Sequence, residues 1–230
     1  MKVFSETFNK RPLSEWPHEP AISEMCPALV GNVEIVGWRE PGLEQGTMHA
    51  MMSMEEFMDA HVNHGSIRNK MPVAPFFFPK SKPSGPDLVF FIRIDGSRVI
   101  PIFVQILKLH QGSSNFSEKD WSDALSTVSA PKIEDHGKVF RKYCPDNVYI
   151  SMIVAYPTKW TEALLAPSEV PKDSSGVQQV VINVKDNNFG DIFPQEHVEF
   201  IDRLKNARKR SADNDDNDDG NIECTKKSRS

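Results

Sequence analysis

Three polar side chains near the centre of this 230-residue sequence are of types, and at positions, that suit chemistry. Asp87 follows Gly85-Pro86 and opens an apolar run, while Gln105 and Lys108 interrupt the next one. A carboxylate can hold a hard cation, an amide oxygen can complete its shell, and an ammonium can neutralise developing negative charge. Each also has a plain structural role: Asp87 as a turn residue, Gln105 as a buried amide bonded to backbone, and Lys108 as a chain snorkelling past the strand end. Other candidates stand alone. His61 and His64 have the i, i+3 spacing that can chelate, but no second ligand set accompanies them, and a surface or helix-end role is expected. Cys144 reads as a structural thiol, since no His or Asn is placed to make it a nucleophile. Met48, Met51, Met52, Met54 and Met58 read as adaptable packing and not as a soft-metal site. The sequence has no glycine-rich phosphate loop.

The elements that must position these groups are legible. Leu88 to Ile94 is apolar at nearly every position and predicts a strand; Asp95-Gly96 is the dipeptide of a tight hairpin; Val99 to Leu109 predicts the returning strand. Two such runs require a sheet covered on both faces. Before them, Thr47 to His64 has helical spacing, with Ser53 as cap, Glu56 three residues on and Gly65 as the stop. Pro72 to Pro79 encloses Phe76-Phe77-Phe78, an apolar anchor at the edge of the core. After the hairpin, Ser117 caps a helix with an acidic first turn, which turns Trp121, Ala124, Leu125 and Val128 inward and stops before Pro131. A second helical stretch is expected over His136 to Tyr143, then strands over Val148 to Tyr156 and Val177 to Val184, then a helix from Pro194 to about Arg208.

This order makes the fold class α/β (mixed α+β), with a central mixed sheet flanked by helices. Three organisational segments follow: a Pro-rich arm over residues 1–46, which carries one short apolar run at Leu29 to Trp38, a folded domain over 47–206, and a charged tail over 207–230. The formal net charge is −5, unevenly placed. From Arg203 to Ser230 there are eight basic and six acidic residues, which leaves −7 on residues 1–202. A body of that charge repels phosphate, so any nucleic-acid contact must use a local basic patch, a bound metal or the tail. No apolar run reaches the length of a membrane span, the start lacks a secretory h-region, and three scattered cysteines suggest neither a disulfide framework nor a zinc site. A soluble intracellular protein is the expectation, and the basic groups at Lys205, Arg208, Lys209, Arg210 and at Lys226, Lys227, Arg229 suit a nuclear address.

Gly85-Pro86-Asp87 at the head of one strand, a tight hairpin, Gln105-Ile106-Leu107-Lys108 on the next strand and a following helix together resemble the PD-(D/E)XK nuclease superfamily. Over roughly residues 50–206 the wording, through Ala130-Pro131-Lys132-Ile133-Glu134 to Phe189-Gly190-Asp191-Ile192-Phe193, is similar to C-terminal modules of Crinkler-type effectors and related fungal proteins. The resemblance implies a restriction-endonuclease-like fold and Mg²⁺- or Mn²⁺-dependent cleavage of nucleic acid, DNA before RNA, through a metal that polarises phosphate and activates water. It gives the catalytic roles to Asp87, Gln105 and Lys108, and the metal to Asp87 and Gln105 with Glu55 or Glu56 of the preceding helix, where Asp59 is a further candidate. Two departures stand out. Gln105 occupies a carboxylate position, and Lys108 follows it by three residues where the pattern has two. On a regular strand the two side chains then point to opposite faces, unless a β-bulge near Ile106-Leu107 absorbs the extra residue. These departures open the alternative of a catalytically inactive relative: an interaction or DNA-contact module in the nucleus, with the 76–78 region available to protein partners.

Overall fold

The computed structural model describes residues 12–13, 29, 31–37, 53–63, 75–79, 85–107, 116–134, 140–155, 176–184, 195–196, 198–199 and 203. Among these residues six strands form one mixed sheet: β1 (Val33–Ile35), β2 (Phe76–Phe77), β3 (Leu88–Ile94), β4 (Arg98–Ile106), β5 (Val148–Val154) and β6 (Gln178–Val184). Its order is β1-β3-β4-β5-β6, with β2 also pairing to β3. The hairpin β3–β4 is antiparallel, and β4, β5 and β6 run parallel. Three helices are described with them: α1 (Met54–Asn63), α2 (Glu118–Thr127) and α3 (Ala130–Glu134), along with a 3₁₀ turn at Phe140–Tyr143. The expected mixed α/β class is therefore correct.

The central hairpin forms where its composition demands. Three residues, Asp95 to Ser97, join the strands; Asp95 and Gly96 both take positive φ, 47° and 72°, and Ser97 N–H donates back to Ile94 O at 3.2 Å. Pairing runs without interruption from Ile94↔Arg98 to Leu88↔Val104. Every residue of β3 except Arg93 is buried. Arg93 reaches Glu34 on β1 at 3.3 Å, its register partner across the ladder.

One face of the sheet packs under the helices. Phe57 of α1 stacks on Phe77 with centroids 5.3 Å apart and tilts against Phe91 at 6.1 Å. Further along, Phe103, Tyr149 and Phe140 meet as an aromatic cluster with centroids 5.0–6.0 Å apart. Side chains pointing to the opposite face, such as Phe90, Ile92, Ile102, Val104 and Met152, are buried as well. Burial on both faces is what continuous apolar strands require.

The expected anchor at Phe76-Phe77-Phe78 becomes β2: Phe76 and Phe77 are buried against β3, and Phe78 is 39% exposed. Within the arm, the short apolar run supplies β1, an added strand on the sheet. The helix expected from Ser117 is present, with Ser117 and Asp120 bonded reciprocally. That helix stops before Pro131, as expected: it ends at Thr127, and Pro131 belongs to the next, separate helix. Pro131 lies near the start of that helix, α3, where its missing N–H costs nothing. Of the helical stretch expected over His136 to Tyr143, the described part is the 3₁₀ turn. The stop at Gly65 lies outside the described residues. A second compact unit spans Gln195–Ser230. There Gln195, Glu196, Val198, Glu199 and Arg203 are helical, with Arg203 3.5 Å from Glu199 one turn away, in keeping with the expected helix.

β1 is fastened to the hairpin turn by a close backbone approach. Asp95 N–H donates to Asn32 O at 3.0 Å, and Asp95 Oδ1 accepts from Asn32 N–H at 2.9 Å. Gly31 precedes this clasp with φ +146°, and a Cβ there would lie 2.2 Å from Asp95 Oδ2. Gly31→Ala therefore combines backbone strain with overlap, and should lower unfolding stability by about 1–3 kcal/mol. Urea denaturation checks this: an unchanged midpoint would show that β1 is not held this way.

Candidate functional site

The hairpin brings two of the three expected site residues together. Asp87 sits in the bend just before β3, and its backbone N–H donates to Val104 O at 2.8 Å. Pro86, one residue back, has no N–H and ends the ladder. The Asp87 carboxylate then takes over as acceptor. Its Oδ2 accepts Ile106 N–H at 2.9 Å and Gln105 Nε2–H at 2.8 Å. A single carboxylate oxygen thus closes the mouth of the hairpin and holds the amide beside it. Bonds from N–H groups to an ionised carboxylate are among the stronger neutral-to-charged contacts.

Gln105 continues the chain of bonds into α2. Thr127 Oγ1 lies 2.8 Å from Gln105 Oε1 and 2.7 Å from Ala124 O. The expected partner of this amide was backbone; in the structure both partners are side chains. Three more polar contacts fasten the same helical segment to the sheet. Trp121 Nε1–H donates to Asn183 on β6 at 3.1 Å. Ser151 Oγ–H donates to Val128 O at 2.8 Å and accepts from Gln179 Nε2 at 2.9 Å. Ala130 N–H donates to Tyr149 Oη at 3.1 Å. These contacts show how α2 lies. It crosses the parallel strands from β6, under Trp121, to β4, under Thr127, and the chain then follows β5 into α3. Sequence reasoning passed over Thr127, Ser151, Gln179 and Asn183. The available signal was a run of polar residues breaking otherwise apolar strands, each of which must find a partner when buried.

Lys108 lies outside the described residues. Pairing of β4 with β5 is one-to-one from Ile102↔Ile150 to Ile106↔Val154, and Leu107 N–H continues it to Val154 O at 2.9 Å. The bulge that would bring the lysine to the face of Gln105 is therefore not found through Ile106. Gln105 lies on the face of Phe103 and Leu107, which pack beneath the helices.

The carboxylates of α1 have other contacts. Glu56 closes a capping box with Ser53: Ser53 N–H donates to Glu56 Oε2 at 2.8 Å and Glu56 N–H donates to Ser53 Oγ at 3.1 Å. Asp59 pairs with Lys142 of the 3₁₀ turn, and Glu55 adds to the negative field around that ammonium. Among the described residues, no group of three His, Cys, Asp or Glu side chains is placed to hold a metal ion. For a cation, the residues that fit are Asp87 and, through its oxygen, Gln105; in the orientation found, that oxygen faces Thr127.

Of the two roles expected for His61, the helix-end one holds, in the last turn of α1, and the surface one does not. His61 is fully buried, stacked on Phe91 with centroids 4.9 Å apart and tilted against Phe57 at 4.1 Å. Its Nδ1–H donates to Phe57 O at 2.8 Å. The helical spacing that placed it with Phe57 and Met58 put it on the inward face. His64 lies outside the described residues.

The Asp59–Lys142 pair sets an alkaline limit on stability. The hydrogen bond that Lys142 donates to Asp59 raises Lys142 above the ordinary lysine range, and burial, with Asp59 nearby, raises Tyr143 above the ordinary tyrosine value. A raised folded-state value means that the fold holds the proton more tightly. The contribution is complete below the ordinary values, about 10 for both groups, and is lost as pH rises through the raised ones. Stability should therefore stay level with respect to these groups through neutral pH and fall in alkali. Asp59→Asn should lower the tyrosinate titration midpoint followed by ultraviolet absorbance; an unchanged midpoint would contradict this assignment.

Among the described residues no helix is long and apolar enough to cross a membrane. No family model, curated protein or solved structure matches this chain.

Proposed function

We propose that this chain is a non-catalytic interaction module on a restriction-endonuclease-like scaffold, in which Asp87 and Gln105, at two of the nuclease-motif positions, hold the fold together. The observation that carries the proposal is the engagement of Asp87 Oδ2 by both Ile106 N–H and Gln105 Nε2–H. A hard cation would have to compete with both donors, and no second carboxylate stands at position 105 to add charge. Of the acidic candidates on α1, Glu56 is engaged with its helix cap and Asp59 with Lys142. The −7 carried by residues 1–202 supports a protein partner before a phosphate backbone. DNA contact on this reading falls to the basic groups of the tail, which also suit a nuclear address.

A second reading, a metal-dependent nuclease using Asp87, Gln105 and Lys108 with Mg²⁺ or Mn²⁺, is favoured by one observation. Asp87 and Gln105 meet at the head of a hairpin followed by a helix and a parallel strand, the placement that the PD-(D/E)XK resemblance implies. Here the cation would polarise phosphate, Asp87 would hold it, and Gln105 would need its oxygen turned toward it.

Incubating supercoiled plasmid with purified protein and Mg²⁺ or Mn²⁺ separates the readings. The interaction module leaves the plasmid intact, while Asp87→Ala lowers unfolding stability by about 1–3 kcal/mol because two N–H donors lose their acceptor. Metal-dependent nicking that disappears in Asp87→Ala would overturn the proposal. For the tail, a fluorescent fusion lacking residues 205–230 should lose nuclear enrichment; unchanged distribution would remove the address.

A further inference from the structure

The two ends of the Gln105 amide are constrained unequally. At one end Nε2 lies 2.8 Å from Asp87 Oδ2. Only the NH₂ end is tolerated there, because a carbonyl oxygen that close to a carboxylate oxygen is repelled. At the other end Thr127 has one hydroxyl proton and two acceptors in reach, Gln105 Oε1 at 2.8 Å and Ala124 O at 2.7 Å. A hydroxyl can also accept. Were the amide reversed, Nε2 would donate to Thr127 Oγ1 while the hydroxyl proton went to Ala124 O, and every group at that end would still be satisfied.

We infer that Gln105 is a two-position amide whose direction is set by Asp87 alone, with Thr127 as a positioning residue that accepts either direction. When the Asp87 acceptor is lost, the amide turns and α2 stays fastened to β4. The helix–sheet contact is then independent of what becomes of the carboxylate at the hairpin mouth, so that end of the site can change without releasing the helix. This rests on the reading of Asp87 and Gln105 as a structural clasp.

Nuclear magnetic resonance of the ¹⁵N-labelled full chain tests it. In the wild type, the Gln105 side-chain amide protons should show Overhauser contacts to the Ile106 backbone amide. In Asp87→Leu they should move to the Thr127 methyl group. The Ala130 amide, bonded to Tyr149, should keep its exchange protection within about threefold in Asp87→Leu, and exchange about tenfold faster in Gln105→Leu, where both ends are lost. Unchanged amide contacts in Asp87→Leu, or loss of Ala130 protection equal to that in Gln105→Leu, would overturn the inference. Thr127→Val provides an independent arm in case Asp87→Leu fails to fold. With Asp87 present the amide should keep its direction, and an amide that turns or averages there would also overturn it. Plasmid nicking by the wild type would defeat the non-catalytic reading and leave these contacts unaltered, so the two failures are distinguishable.

Discussion

A strand pair buried on both faces has no water to satisfy its polar groups, and this constraint governs the rest of the molecule. β3 and β4 carry apolar side chains on nearly every position, so each polar group they retain must be matched from within. At the mouth of the hairpin, where Gln105 is half-buried and Ile106 exposed, a side chain takes over from the ladder. Pro86 interrupts the ladder, and the Asp87 carboxylate supplies the acceptor that Ile106 N–H needs. The same oxygen holds Gln105, whose other end meets Thr127. A strand terminus, an interior amide and a helix end are thus fixed by one chain of hydrogen bonds.

The same rule explains the lie of α2. An amphipathic helix over a parallel sheet is set mainly by its apolar face, here Ala124 and Val128 with half-buried Trp121 and Leu125. Apolar contact alone is non-directional. The polar contacts at Asn183, Gln105, Ser151 and Tyr149 give it direction, one over each parallel strand and a fourth lower on β5. On the other side of the hairpin, α1 is placed by aromatic packing, with His61 held between Phe57 and Phe91.

Much of the fold was legible because its determinants are local. Asp95-Gly96 specifies a turn, continuous Val, Ile and Phe specify buried strands, and Ser117 with Asp120 specifies a helix start. What was not legible depends on residues far apart in sequence. Thr127 is an unremarkable helix-end residue until α2 is known to pass over β4. Ser151 and Gln179 are 28 positions apart and become partners only through the parallel pairing of β5 and β6. For Pro131, the rule that proline disfavours the preceding helical residue rightly put the end of α2 before it, whereas its suitability near a helix start, used at once in α3, was not read. Of the candidate site, the meeting of Asp87 with Gln105 was an expectation of the motif resemblance alone, and the pairing register that brings it about was not read. The direction of the amide and the contacts of Glu56 and Asp59 needed three dimensions.

The central claim is that Asp87 and Gln105 act on each other as structure. A double-mutant cycle on unfolding free energy, with Asp87→Ala, Gln105→Ala and the pair, measures that coupling without assuming a function. The double variant should be less destabilised than the sum of the singles by about 1–2 kcal/mol, the range for a hydrogen bond to a charged group. Additive losses, or single variants as stable as the wild type, would contradict it.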